Sequence, residues 1–284
     1  MTLRANVLIP AWNEAGVIAQ TLAAIRDPRL HLIVIANACT DATAAVARAA
    51  APQAVVLETP VPGKTHAMNL GLTHAMPGLP VVCLDADLAT TPAMILDLIA
   101  PLETPLDTHL AACGRMQIDA AQSSPMVRAY MRAWAHNPYF AQGKFGGLFA
   151  LSAKGAAQVF PLPYLTADDE YIRRSFARHE TAFVPSCVFV ARAPRDLATL
   201  IRVRRRSLRG ARAVAAKGLR APGRTNGGVG TMLRAALIRP ARWPDLAVFV
   251  AVMALVRVQL ALEPRAAKTA WERDTTNRPS EVAQ

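Results

Sequence analysis

Short apolar, β-rich runs alternate with Ala-rich stretches at helical spacing through the first part of the chain. The runs are Asn6–Pro10 (NVLIP), His31–Ala36 (HLIVIA), Val55–Leu57 and Val81–Leu84 (VVCL). The stretches between them are Val17–Ile25, Ala42–Ala50, His66–Ala75 and Pro92–Leu98. Such alternation predicts an α/β fold with a parallel sheet covered on both faces. Pro92, following Thr90 and Thr91, marks a helix start. The second part is less regular. Leu110–Gly114, Leu148–Ser152 and Ala182–Val190 read as strands, and Ser123–Ala135, Asp169–Ala177 and Leu197–Lys217 as helices. Ala221–Gly230 reads as a loop by composition, and the polar tail after Pro264 as ending in disorder.

The 284 residues, 52% hydrophobic, suffice to bury a substantial core and exclude a disordered chain. Four scattered cysteines, Cys39, Cys83, Cys113 and Cys187, form no C-x-x-C pair, so a reduced compartment fits better than a disulfide scaffold or zinc ribbon. The start, MTLRANVLIPAWNE, has no apolar signal core, and no secretory signal is expected. The net charge of +12 is uneven: Arg192–Arg242 holds 14 of the 32 Lys and Arg residues and one acid, Asp196, while 18 bases face 19 acids elsewhere. That balance argues against a nucleic-acid binder that is basic throughout.

The strongest local signal is Val81–Asp87, VVCLDAD, an apolar strand ending in Asp85 and Asp87. Side chains at the carboxyl end of a parallel strand face the crevice where ligands bind. Two carboxylates there suit a hard divalent ion with phosphate oxygens, although one Asp-x-Asp also arises by chance in a chain of this length. After the first strand comes Pro10-Ala11-Trp12-Asn13-Glu14, and after the second Asn37-Ala38-Cys39-Thr40-Asp41-Ala42-Thr43. Each reads either as a helix-capping turn or as a nucleotide contact. Gly63-Lys64-Thr65 precedes a helix whose amides and Lys suit phosphate. A P-loop is excluded, because Glu58 stands where its first glycine would be. Asp168-Asp169-Glu170 opens another helix, as a dipole-favouring acidic turn or as the source of a general base. The arginines from Arg202 to Arg212 read as a solvated face, an anionic-surface patch or a diphosphate clamp. The histidines lack metal-ligand spacing and read as structural.

Taken in order, PAWNE, NACTDAT, GKTHAMNLG, LDAD, FGGLFALS, ADDEY and RVRRRSLRG resemble the motifs of the family 2 glycosyltransferases of the GT-A fold, over about residues 5–210. The resemblance implies a GT-A catalytic domain over 1–215 and a C-terminal extension over 216–284. It implies transfer of one sugar, with inversion, from a nucleotide-diphosphate sugar to an acceptor hydroxyl, a UDP-sugar being the first donor class to expect and a lipid-linked or saccharide molecule the acceptor. Position by position, it places Pro10, Asn13, Glu14, Asn37, Lys64, Asp85 and Arg206 on the donor. Asp87 becomes the ligand of a divalent cation, Mg2+ or Mn2+, and Gly146 and Gly147 lie on the acceptor side. Asp169, beside Asp168, becomes the catalytic base. Ala36 replaces an Asp that contacts the base in many members. Val203 and Ser207 replace the Gln and Trp of Q-x-x-R-W, which argues against processive synthesis.

Other readings are weaker. A sugar-1-phosphate nucleotidyltransferase lacks its Gly-rich loop here. Binding of an anionic surface or nucleic acid by Arg192–Arg242, beside a non-catalytic GT-A-like domain, is the alternative. That segment has no aromatic residue for base stacking, and no nucleic-acid partner is expected. Leu246–Leu262 (LAVFVAVMALVRVQLAL) is interrupted only by Arg257 and Gln259. Next to the basic segment it suits a peripheral or re-entrant helix on the cytoplasmic face of the inner membrane, with burial against the catalytic domain as the other reading.

Overall fold

The computed structural model describes residues 2–104, 108–137, 140, 143, 145–218 and 240–263. The expected loop at 221–230 and the polar tail after 264 lie outside these residues. Helices and strands alternate as β1 (Ala5–Ala11), α1 (Ile18–Ala24), β2 (Leu30–Asn37), α2 (Thr43–Ala50), β3 (Val55–Thr59), α3 (Lys64–Leu72), β4 (Val81–Leu84) and α4 (Pro92–Ile99). They continue as β5 (Ala111–Asp119), α5 (Pro125–Trp134), β6 (Leu148–Leu151), α6 (Ala153–Val159), α7 (Asp168–Ser175), β7 (Thr181–Arg192), α8 (Leu197–Ala216) and α9 (Trp243–Leu262). Thr91 caps α4, accepting a hydrogen bond from the Met94 amide at 3.3 Å, with Pro92 at the first helical position.

The sheet order is β3-β2-β1-β4-β6-β5-β7. β1 pairs in parallel with β2 and β4, and β2 with β3, as the alternation predicts. β6 runs antiparallel to both β4 and β5, so the whole sheet is mixed. Successive strand residues face opposite sides, and each side has its own core. Val7, Ile9, Leu32 and Val34 pack with Ile18 and Leu22 of α1 and Ile95 and Leu98 of α4. Leu8, Ile33 and Ile35 pack with Ala67 and Met68 of α3 and Ile172 of α7. Burial on both faces makes these strands almost continuously apolar, and each buried Leu or Ile contributes about 1.5–3 kcal/mol. On α3, a Cβ at Gly71 would lie 2.6 Å from Ile35 Cδ1, so glycine sets how closely the helix approaches the sheet.

The chain forms two compact units, interleaved in sequence. The first comprises 1–116, 143–189 and 217–224, and the second 117–142, 190–216 and 225–284. In the second unit, Val127, Tyr130 and Met131 of α5, Leu200 of α8, and Phe249, Val252, Val256 and Leu260 of α9 form a separate core. Ion pairs fix both ends of α9: Asp245 with Arg132 at 2.6 Å, and Glu263 with Arg209 at 2.7 Å and Arg205 at 3.4 Å. The Arg204 guanidinium lies 4.0 Å from the Trp134 ring centroid, a cation–π contact of the same core.

Candidate active site

The site is built at the carboxyl ends of β1, β2 and β4 and at the starts of α3 and α7. After β1, Asn13 takes the left-handed conformation (φ 52°), a geometry that Asn tolerates better than most residues. Its Nδ2 donates to Thr40 Oγ1 at 3.0 Å and its Oδ1 accepts from the Thr40 amide at 2.8 Å. The Glu14 amide donates to Thr43 Oγ1 at 2.8 Å, and the Ala15 amide to Asp41 Oδ2 at 3.1 Å. In this arrangement Asn13 is a brace between the loops after β1 and β2. Pro10 is half-buried in β1, and Glu14 is buried. Asn37, last in β2, is buried, and its Oδ1 accepts no hydrogen bond from any described residue. An unpaired buried acceptor of this kind is costly unless a donor arrives.

Gly63, at φ 136°, turns the chain into α3, and Lys64 is the first helical residue. Lys64 Nζ lies 2.8 Å from Asp85 Oδ1 and 3.1 Å from Asp168 Oδ2. One ammonium thus joins a carboxylate just beyond β4 to another at the start of α7. Burial works against the Lys64 charge, but attraction to Asp168, Asp85 and Asp169 more than reverses it and holds the pKa well above the ordinary lysine value. Asp87, two residues beyond Asp85, is exposed. Gly147, at φ 79°, accepts a hydrogen bond from the Asp85 amide at 2.8 Å. The left-handed backbone at Gly147 favours glycine, and a Cβ there would lie in ordinary contact with Asp85 Oδ2, at 3.7 Å.

The three acids of Asp168-Asp169-Glu170 separate by environment. Asp168 is buried against Lys64. Glu170 is gripped by Arg173 at 2.7 Å and Arg174 at 2.6 Å. Burial raises the Glu170 pKa, but these guanidinium groups outweigh it and leave the carboxyl below its ordinary value. Asp169 is half-buried and near enough to act on Lys64 electrostatically. Cys83, within β4, is no reactive thiolate, because burial pushes its pKa up.

Lys64, Asp85 and Asp168 therefore meet, with Asp169 beside them. Arg206 is carried by α8, in the second unit. Tyr164 was not marked by any sequence motif. Its exposed ring lies where a Cβ at Gly63 would come within 2.9 Å of Cε2, and an aromatic in the Pro-rich stretch PLPYLT was the only signal available. Asn69 of α3 holds the neighbouring loop, donating to Leu162 O at 2.9 Å and accepting from Leu162 N at 2.7 Å.

A sheet with acids at its strand ends, carrying a lysine-bridged acid pair, is the frame of the site. The glycosyl transferase family 2 model matches residues 6–150, and the chain belongs to that family and is a glycosyltransferase. Among solved structures, the mannosyltransferase PcManGT of Pyrobaculum calidifontis, in complex with GDP-Man and Mn2+, is 22% identical with a TM-score of 0.60, covering 91% of this chain and 76% of that one. Glucosyl-3-phosphoglycerate synthase of Mycobacterium tuberculosis, solved with Mn2+, UDP and glucosyl-3-phosphoglycerate, is also 22% identical, with a TM-score of 0.57 over 78% of this chain and 81% of that one. These likenesses establish the GT-A fold. No curated protein matches the chain in sequence.

Proposed function

We propose that this glycosyltransferase is an inverting hexosyltransferase that moves one sugar from a nucleotide-diphosphate sugar to an acceptor hydroxyl. The supporting observation is the Lys64 bridge between Asp85 and Asp168, with Asp169 next to it. The ammonium belongs where a diphosphate would develop negative charge as it leaves. A fixed cation there favours the transition state over the ground state. Asn37 offers its unpaired acceptor to a donor group of the nucleotide, and Pro10, Asn13 and Glu14 hold the loop beside it. A UDP-sugar is the first donor to test and GDP-mannose the second, after the ligand of the Pyrobaculum enzyme.

The residues fit a divalent cation. Among the described residues no three His, Cys, Asp or Glu side chains gather around one point. An exposed carboxylate at Asp87, with Asp85 nearby, matches Mg2+ or Mn2+, which take one or two protein carboxylates and complete their shell with phosphate oxygens and water. When bound, the ion would neutralise charge on the leaving diphosphate. Asp169 takes the proton from the acceptor hydroxyl as it attacks the anomeric carbon, in one displacement that inverts the centre. Asp168 is less suited to that role because Lys64 holds it, and Glu170 because two arginines do. The glycines at 146 and 147 leave room for the acceptor.

The acceptor is placed among lipid-linked or saccharide molecules of cell-surface polysaccharide or glycolipid synthesis, and the enzyme at the cytoplasmic side of the inner membrane. The apolar α9 and the arginines around it support that location. The test is a panel of nucleotide sugars with purified protein and Mn2+ or Mg2+. Slow metal-dependent hydrolysis of one donor is expected. Failure to bind or hydrolyse any nucleotide sugar would overturn the reading.

A further inference from the structure

The location proposed above leaves open how α9 meets a bilayer, and the inference drawn here rests on that proposal. At 20 residues, α9 is about 30 Å long and apolar enough to cross a membrane by length and composition. Its surroundings in the second unit argue otherwise. Phe249, Val252, Val256 and Leu260 form a stripe buried against α5 and α8. Asp245 and Glu263 tie the two ends of the helix to Arg132, Arg205 and Arg209. To span a bilayer, α9 would have to abandon this core and both sets of ion pairs, or carry the arginines of α8 into hydrocarbon with it. Charged side chains at the bilayer centre are costly enough to oppose either course.

The opposite side of α9 is different. Trp243, Val250, Leu255, Val258 and Leu262 are each between 43% and 78% exposed. With the alanines between them they cover about 140° of the helix circumference, taking about 100° per residue. The charged residue bordering this arc is Arg257, at its edge. A continuous exposed apolar face of this length marks an interaction surface. The net charge of the described residues of this unit selects the partner. Within 117–137, 190–216 and 240–263 there are 12 Arg residues and 4 acids, and two of those acids, Asp245 and Glu263, are held by arginine. A second copy would bring a unit of the same net positive charge against it. An anionic lipid surface complements it, and an indole at one end of the face suits the headgroup boundary.

We infer that α9 lies in the plane of an anionic membrane surface, with Trp243, Val250, Leu255, Val258 and Leu262 in the lipid and the Phe249–Leu260 stripe still in the protein core. The helix is then a permanent in-plane anchor, and the bilayer is touched by a side of α9 that folding leaves uncovered.

Flotation of the full chain with vesicles of phosphatidylcholine, with and without phosphatidylglycerol, tests this. Wild type should float with the anionic vesicles at least tenfold better than with phosphatidylcholine alone, and alkaline carbonate should release it. The double variant Leu255→Glu/Val258→Glu should keep its helical circular dichroism and thermal midpoint, since both side chains are exposed, and should lose binding at least tenfold. Should that variant misfold, an environment-sensitive dye on Leu262→Cys supplies the same answer through a blue shift on anionic vesicles, with labelled wild type as baseline. Wild type that never floats overturns the membrane location and this inference together. Wild type that floats while the double variant floats equally overturns the assigned face and leaves the location standing. Resistance to carbonate shows a spanning helix, and equal binding to both lipids removes the anionic requirement; either overturns the inference. A dimer in ultracentrifugation that the double variant dissolves would assign the face to a second copy instead.

Discussion

Lys64 Nζ stands 3.1 Å from Asp168 Oδ2, so an ammonium at the start of α3 neutralises a carboxylate that α7 has carried into the protein. The Asp168 side chain is 6% exposed and that of Lys64 is 21% exposed. Removing one member of such a pair strands the other. Lys64→Met is expected to lower stability by about 2–3 kcal/mol, toward the lower end for a buried pair because solvent reaches the lysine. Urea unfolding of Lys64→Met and of Lys64→Met/Asp168→Asn checks this. The double variant should recover much of the loss, because an amide tolerates burial without a counter-ion better than a carboxylate does. Equal instability in both would show that the pair is not the source.

Glu170 gives the pH dependence. Burial alone would raise its pKa, but Arg173 and Arg174 hold it below the ordinary value. A depressed carboxyl contributes stability that is present above its unfolded pKa, about 4.3, and is lost as pH falls through the folded value. Glu170→Gln is therefore expected to be about 1–2 kcal/mol less stable than wild type at pH 7. The difference should shrink steadily below about pH 4. Denaturation curves at a series of pH values read this directly, and a difference that stays constant into acid would contradict it.

Much of this architecture is legible in the chain, for physical reasons that also mark where legibility stops. β1, β2 and β4 are buried on both faces, so NVLIP, HLIVIA and VVCL announce themselves as apolar runs. The direction of β6 is not announced. LFAL is as apolar as VVCL, and only its pairing of Leu148 with Leu84 shows that it runs backwards. Lys64, Asp85 and Asp168 each belong to a motif, yet no spacing says that one ammonium reaches both acids. Asn13 reads as a nucleotide contact or a cap, and no motif shows that its side-chain amide is bonded through both Nδ2 and Oδ1 to Thr40. On α9 the buried and exposed sides share one composition, so LAVFVAVMALV shows an apolar helix but not which side faces α5 and α8.

Asp169 and Asp168 should respond differently to the same substitution. Asp169→Asn keeps the shape of the side chain but cannot accept a proton, so kcat should fall by about 10²–10⁴-fold. Nucleotide affinity and thermal midpoint should stay near wild type. Asp168→Asn removes the buried partner of Lys64 and should lower the thermal midpoint as well as activity. Turnover surviving in Asp169→Asn while Asp168→Asn is inactive at full stability would move the base to Asp168.

Asp87 tests the cation. It lies just past the end of β4 and is exposed, so Asp87→Ala should change stability by no more than about 0.5 kcal/mol. Its effect on the reaction should be far larger, because a carboxylate is a hard oxygen ligand and one of few that the protein can offer a divalent ion at this position. Transfer by wild type is expected to stop in excess EDTA and return with Mn2+ or Mg2+. In Asp87→Ala, the Mn2+ concentration giving half-maximal donor hydrolysis should rise at least tenfold, and calorimetry should show nucleotide-diphosphate binding losing most of its enhancement by Mn2+. Binding without metal should be almost unchanged, since Lys64 and the loops after β1 and β2 are still in place. Full activity in EDTA would eliminate the cation altogether. A variant with wild-type Mn2+ dependence would move the ligand away from Asp87, with Asp85 the next carboxylate to replace.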